Sequence, residues 1–243
     1  MQGTFRVTGG ARLVGEVTIS GAKNSALKLM AATLLAEGRS KILNVPNIAD
    51  VHIMEELLTR LGCTCEYNES DLTLTVDVPS KPGHRADYDL VRKMRASINV
   101  LGPLLARLKI VEVALPGGDA IGSRGLDYHI KGLELLGARI HLEHGYIIAE
   151  APNGLVGANV TLDFPSVGAT ENLMTAAVLA KGTTVIENAA RDVGRRHGFR
   201  KKCILARQFR HDRSNLRLRI VTDREIEIEN QLRFPIRQGH GTL

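Results

Sequence analysis

The sequence predicts an α/β fold in which a strand–helix–strand–helix–strand–strand unit recurs, with helices inside and sheets outside. Three observations predict it. The first is an internal repeat. Residues 20–46 (SGAKNSALKLMAATLLAEGRSKILNVP) align with 166–190 (SVGATENLMTAAVLAKGTTVIENAA) at an offset of 144. The match sets Leu29, Met30, Ala32, Leu35, Ala36, Gly38, Ile42 and Asn44 over Leu173, Met174, Ala176, Leu179, Ala180, Gly182, Ile186 and Asn188. A looser copy at 94–116 sets Leu105-Ala106 over Leu35-Ala36 at an offset of 70, and Leu61-Gly62 recurs as Leu136-Gly137 at an offset of 75. The second observation is that apolar residues inside each unit switch between helical spacing and alternation. The third is bulk composition: 243 residues, 44% hydrophobic and 24% charged, suit a chain with a proper core. Disordered, collagen-like and fibrous classes are excluded.

The elements follow in order. Apolar positions between Ala26 and Leu35 repeat at helical spacing, and Gly38 is a helix stop. KILNV (41–45) is a short strand. Asp50 is expected to cap a second helix, Val51–Leu61, ended by Gly62. CTCEY (63–67) and LTLTV (72–76) alternate as a hairpin around NESD. The second unit repeats this plan. A helix runs to Arg107, then comes the strand IVEVAL, a helix from Gly125 to Leu136, and the strands RIHLE and YIIAE around His144-Gly145. Each unit must bury one helix face and one sheet face, so three units close around shared helices.

Composition narrows the function classes. Three cysteines, Cys63, Cys65 and Cys203, are too few and too odd for a disulfide scaffold and suit a reducing, cytoplasmic setting. Cys63-x-Cys65 lacks a second ligand pair, so both are expected to pack, with no metal and no cofactor. No basic-then-apolar leader opens the sequence. The stretch Ala26–Ala36 is broken by Lys28 and too short for a bilayer, so no membrane partner is expected. The net charge of +6 is unevenly spread: residues 195–243 carry 13 Lys/Arg against 5 Asp/Glu, and the remainder is close to neutral. A basic tail can bind nucleic acid. Without a recognisable nucleic-acid motif it reads instead as a solvated or disordered extension.

Four segments look chemical. In GAKN (21–24), Lys23 and Asn24 sit at a helix start, beside free N–H groups and the positive dipole end, a place for phosphate or carboxylate. In VRKMRAS (91–97), Arg92, Lys93 and Arg95 crowd what is expected to be a helix N-terminus, where cations call for an anion. In LPGGDAIGSRGLDYH (115–129), a glycine-rich loop carries Asp119, Arg124, Asp127 and His129. Arginine suits bidentate phosphate recognition, and a buried Asp with a raised pKa can donate a proton. In DFPSVGATEN (163–172), Ser166 and Gly168 precede a helix, as an anion loop or as a plain N-cap.

Together GEVTISGAKN, YDLVRKMRASINVLGPLLAR, LPGGDAIGSRGLDYHIKGLE and PSVGATENLMTAAVLAKGTTVIENAAR resemble the UDP-N-acetylglucosamine 1-carboxyvinyltransferases, over residues 1–191. The resemblance implies the enolpyruvyl transferase fold, an inside-out α/β barrel of six similar units in two domains. It implies transfer of enolpyruvyl from phosphoenolpyruvate to the 3′-hydroxyl of UDP-N-acetylglucosamine with release of phosphate, toward peptidoglycan, hence cell shape and division. It also assigns roles. Lys23 and Asn24 contact phosphoenolpyruvate and the sugar nucleotide, and Arg95 contacts the substrates. Arg124 holds phosphate, Asp127 lies near the uridine, and Ser166, Val167 and Gly168 hold the diphosphate. Asp119 is the proton donor to the methylene carbon, with Lys23 and Arg124 beside it in catalysis. By the same resemblance, residues 1–21 pack with a C-terminal domain and 22–191 form the first domain, with two full units and part of a third.

The sequence departs from the family at three places. After Arg191 it becomes Arg-rich (192–243), as an altered reading frame would make it, and a Leu-Gly helix end expected near residue 210 is replaced by Phe209-Arg210-His211. The family's second domain, which supplies the other wall of the cleft, has no counterpart here. The expectation is a truncated fold, inactive alone. Gly125 stands where many members have Pro, which implies a more flexible loop. The alternatives are a 3-phosphoshikimate-type enolpyruvyl transferase, against which the 115–129 loop argues, and a basic nucleic-acid-binding module. Asp119 stands where most members have the cysteine attacked by the epoxide fosfomycin. A carboxylate is a far weaker nucleophile than a thiolate toward that epoxide. Incubation with fosfomycin is therefore expected to leave this loop unmodified in peptide mass spectra; rapid adduct formation within 115–129 would overturn the expectation.

Overall fold

The computed structural model describes residues 4, 6–10, 14–16, 21–116 and 125–190, with the backbone of 217–221 and 225–228. The first unit is α1 (Lys23–Thr33), β1 (Gly38–Ile42), α2 (Ala49–Arg60), β2 (Thr64–Asn68) and β3 (Thr73–Val78). Its sheet has the order β1-β3-β2 with both pairings antiparallel. The second unit is β4 (Arg85–Ala86), α3 (Tyr88–Val91), a 3-10 helix (Arg95–Val100), α4 (Leu101–Leu108), β5 (Ile110–Ala114), α5 (Asp127–Leu135), β6 (Arg139–Glu143) and β7 (Tyr146–Glu150). Its sheet runs β4-β5-β7-β6, with β4 parallel to β5 and the rest antiparallel. The third group is β8 (Asn159–Thr161), α6 (Val167–Ala177), β9 (Thr183–Glu187), β10 (Arg217–Val221) and β11 (Glu225–Ile228).

The repeat is real in space. α1 opens at Lys23, the 3-10 helix at Arg95 and α6 at Val167, at intervals of 72 residues. The two matched stops also hold: Gly62 and Gly137 follow α2 and α5 with φ of 90° and 93°. Helices pack on helices, α4 and α5 on α6, and α1 on the 3-10 helix, while the sheets lie outside them. The core is built from helix residues such as Leu27, Met30, Leu101, Leu104 and Leu173, and from the inner sheet faces, Leu74, Val76, Val113, Ile147 and Ile186. Burying these apolar faces is the main favourable term.

Four expectations are corrected. Asp50 does not cap α2. The helix starts earlier, at Ala49, with Ile48 in the cap position and no side-chain cap bond. β1 begins at Gly38 rather than Lys41, because its pairing with β3 starts at Gly38 opposite Val78. The basic cluster is split: Arg95 opens the 3-10 helix, at a helix N-terminus as expected, whereas Arg92 follows the C-terminal end of α3, where the dipole favours a cation, and stacks over the Tyr88 ring at 4.9 Å. Finally, the backbone of two stretches of the Arg-rich segment is strand rather than disordered. β10 adds to β9 in parallel and forms a hairpin with β11. Their sequences, RLRIV and EIEI, alternate with a period of two, the pattern of a strand. The repeat breaks here, since β9 pairs with β10 in parallel where β1 pairs with β3 and β5 with β7 antiparallel. The segment around residue 210 lies outside the described residues.

The helix contact is closest at Gly102. Its N–H donates to Oδ1 of Asn172 at 2.7 Å, and a Cβ there would collide with that oxygen and with the Asn172 carbonyl. In an isolated helix, Gly→Ala gains about 1 kcal/mol. Here Gly102→Ala is expected to cost about 2–3 kcal/mol by overpacking, read as a lowered urea midpoint; a gain would refute the close approach.

Candidate functional site

The GAKN loop enters α1 strapped to the segment that precedes α2. The Gly21 N–H donates to Asn44 Oδ1 at 3.0 Å, and a side chain at Gly21 would collide with the Asn44 carbonyl. Asn44 itself is left-handed (φ 55°), as is its repeat partner Asn188 (φ 51°). Lys23 is exposed and forms an ion pair with Asp50 at 2.7 Å. Asn24 is exposed beside it. The Asp50 carboxylate thus holds the lysine rather than the helix end.

The openings of α5, α6 and the 3-10 helix meet around one histidine. His129 is 4% exposed. Its Nδ1 lies 3.0 Å from Nδ2 of Asn172, which also donates to the Ile98 carbonyl at 3.2 Å. Since an amide N–H faces Nδ1, that nitrogen is the acceptor and the ring proton sits on Nε2. Nε2 points toward Gly168, where a Cβ would come within 3.4 Å of it. Burial pushes the His129 pKa down to about 4; the nearby Arg95 charge pushes the same way and Asp127 opposes it. Arg95 is half-buried at the first position of the 3-10 helix, and Asp127 is exposed at the first position of α5. A side chain at Gly125 would collide with the Asp127 carboxylate.

Ser166 is a true N-cap. Its Oγ accepts from the Ala169 N–H at 3.3 Å. Thr170 Oγ1 donates to the Ser166 carbonyl at 2.8 Å and accepts from the Ala190 N–H at 3.1 Å. Val167 is exposed and Gly168 half-buried in the first turn.

The structure therefore brings Arg95, Asp127 and Gly168 together around His129. It places Lys23 and Asn24 at the equivalent opening of α1, whose helix packs on the 3-10 helix. Asp119 and Arg124 lie outside the described residues. His129 and Asn172 had been assigned no role from sequence. The available signal was polarity out of place: Asn172 falls between Ala169, Leu173 and Ala176 on a buried face.

Cys63 and Cys65 pack as expected, and burial pushes their thiols up to about 12 and about 11, far from nucleophilic at neutral pH. Among the described residues no group of three or more His, Cys, Asp or Glu gathers to hold a metal, and no helix is long and apolar enough to cross a membrane.

A family model described as EPSP synthase (3-phosphoshikimate 1-carboxyvinyltransferase) matches residues 7–200. The chain belongs to that enolpyruvyl transferase family. It is 56% identical over 196 residues to the UDP-N-acetylglucosamine 1-carboxyvinyltransferase of Nocardia farcinica (strain IFM 10152), a match covering 79% of this chain and 46% of the relative. It is 58% identical over 188 residues to the protein of the same name from Mycobacterium leprae (strain TN), covering 77% and 44%. The chain thus spans under half the length of these curated relatives. Among solved structures, the enolpyruvyl transferase NikO from Streptomyces tendae matches with a TM-score of 0.62 and 24% identity, over 72% of this chain and 41% of that one. EPSP synthase from Acinetobacter baumannii matches at 0.55 and 20%, over 69% and 39%. These two establish the fold: the α/β enolpyruvyl transferase architecture that the resemblance implies, with the α/β units expected from the repeat.

The buried His129 makes a pH prediction for this family member. Its folded pKa, about 4, lies below the ordinary histidine value near 6.5. Between those values the unfolded chain binds the extra proton, so stability rises with pH and is lost as pH falls. The loss at pH 4.5 relative to pH 7 is expected to be about 2–3 kcal/mol from this group. Urea denaturation of parent and His129→Gln at both pH values checks it: the variant should show a smaller acid loss, and an equal loss would refute the assignment.

Proposed function

We propose that these residues form part of a site where enolpyruvyl passes from phosphoenolpyruvate to the 3′-hydroxyl of UDP-N-acetylglucosamine, with release of phosphate, in the cytoplasm and toward peptidoglycan. The observation that carries the reading is the set of helix openings at 72-residue intervals, with Lys23 and Arg95 leading two of them and Val167-Gly168 the third. Helix openings present N–H groups and positive dipole ends, and both substrates are rich in anionic oxygens. The Ser166 oxygen accepts as a cap and its O–H remains a donor, so Ser166 and the backbone N–H groups of Val167 and Gly168 are together the donors toward the diphosphate. Lys23, Asn24 and Arg95 take phosphoenolpyruvate and the sugar, Arg124 the phosphate and Asp127 the uridine side.

The chemistry joins the sugar oxygen to C2 of phosphoenolpyruvate while Asp119 gives a proton to its methylene carbon. Loss of phosphate and of a methyl proton then restores the double bond. Cations and N–H dipoles placed where charge develops stabilise such a step more as water is excluded.

The second reading is the 3-phosphoshikimate reaction, for which the matching family model is named. Identities of 56–58% to UDP-N-acetylglucosamine enzymes, against 20% to an EPSP synthase, favour the sugar nucleotide. Titration of the labelled chain decides between them. UDP-N-acetylglucosamine is expected to shift the Val167 and Gly168 amide signals, and Arg95→Ala to weaken binding about tenfold or more through a lost charged hydrogen bond. Shifts caused by 3-phosphoshikimate instead would overturn the choice. Phosphate release, assayed with both substrates, is expected to be absent from this chain alone; release that is indifferent to Asp119→Ala would remove Asp119 as the proton donor.

A further inference from the structure

The segment between Asn44 and Asp50 holds the GAKN loop at both its ends: Asn44 accepts from the Gly21 N–H, and Asp50 pairs with Lys23. Midway, Asn47 is fixed from two sides. Its Nδ2 donates to Glu69 Oε1 at 3.0 Å, and its Oδ1 lies 2.7 Å from Nε2 of His52. The other ring nitrogen, Nδ1, lies 2.8 Å from Glu55 Oε2. Reversing the Asn47 amide would set its oxygen against the Glu69 carboxylate, so the carbonyl faces His52. Both ring nitrogens of His52 then face acceptors only. A neutral imidazole has one N–H; only the imidazolium supplies two. Tyr67 supports the same segment: its ring meets His52 edge-on, with centroids 5.8 Å apart, and its hydroxyl donates to the Val45 carbonyl at 2.9 Å.

We propose that His52, as the imidazolium, is the positioning residue that locks segment 44–50 onto α2 and thereby sets the Gly21–Lys23 loop. The charged and titratable groups around it are Glu55 and Glu56 on α2, Glu69 and Asp71 in the β2–β3 turn, and Tyr67 on β2. Glu56 is engaged with Arg60. When the proton leaves, one N–H must serve two acceptors. The Glu55 carboxylate, the stronger acceptor, keeps it, and a bare Nε2 is left facing the Asn47 carbonyl. The Asn47 contact then breaks. The lock is closed at lower pH and opens as pH rises. Its importance for substrate rests on the site reading above; the lock itself does not.

The test uses no substrate, so its outcome is separate from that of the functional proposal. The 243-residue chain, labelled with ¹⁵N, is titrated by NMR, with the His52 ring signals assigned by their absence in His52→Gln. Water exchange of the Gly21 amide is read below and above the His52 titration, corrected for the intrinsic pH dependence of exchange. Exchange is expected to be about fivefold faster above it, the equivalent of one lost hydrogen bond, and fast at both pH values in His52→Gln. Asn47→Ala should likewise give fast exchange at both pH values. Equal Gly21 exchange in the parent and in either variant overturns the lock. His52 is exposed, so both variants should fold, and an unchanged urea midpoint verifies that.

Discussion

One buried amide closes the helical interior. Asn172 accepts from the Gly102 N–H and donates to the Ile98 carbonyl and toward His129, so a single side chain joins α6 to α4, the 3-10 helix and α5. Every one of those groups is buried, and a buried polar group left without a partner costs about 1–3 kcal/mol. The neighbouring residues extend the same function. Glu171 pairs with Lys28 of α1 at 2.6 Å, and Thr170 ties the first turn of α6 to Ala190. The ATEN tetrapeptide is therefore a cross-link between repeat units. Apolar packing brings the helices together, and these polar bonds determine their register.

The same amide reaches the chemistry. By facing an N–H to Nδ1 of His129, Asn172 fixes the ring tautomer and aims an Nε2 proton at Gly168. His129 stays neutral because it is buried beside Arg95. A neutral ring at this point keeps the positive charge of the site on Arg95 and at the helix openings. Core and candidate site thus share one hydrogen-bond chain, running from Gly102 through Asn172 to His129, whose ring lies against the first turn of α6.

Much of the fold was legible in the sequence because its causes are local. The 72-residue spacing, the hairpin at residues 63–76 and the glycine stops at 62 and 137 all follow from periodicity and backbone chemistry. What was missed depends on partners far along the chain. Asp50 looks like a cap in its own window, yet Lys23, across the repeat unit, claims its carboxylate. The alternation in LRLRIV and EIEIE was present, but the surrounding arginines read as a solvated face, and no local pattern announces a parallel pairing with β9. The helix-start positions of Lys23, Asn24 and Arg95 were readable locally. The roles of His129 and Asn172 were not, since a buried polar residue declares its partners only once the units pack.

The site residues are held with unequal firmness, and this has a consequence for binding. His129 rests on buried hydrogen bonds that a ligand cannot easily move. Lys23 rests on an ion pair whose partners are 53% and 31% exposed, and on a loop strapped through Asn44. Exposed ion pairs contribute little, on the order of 0–1 kcal/mol. An incoming anion can therefore draw Lys23 from Asp50 at small cost, whereas displacing His129 would break buried hydrogen bonds. For the anionic ligand proposed above, the α5–α6 side would fix its place and the α1–α2 side would adjust to it. Adjustment is useful only if the loop returns to one place, and the contacts of segment 44–50 with α2 and β2 supply that return.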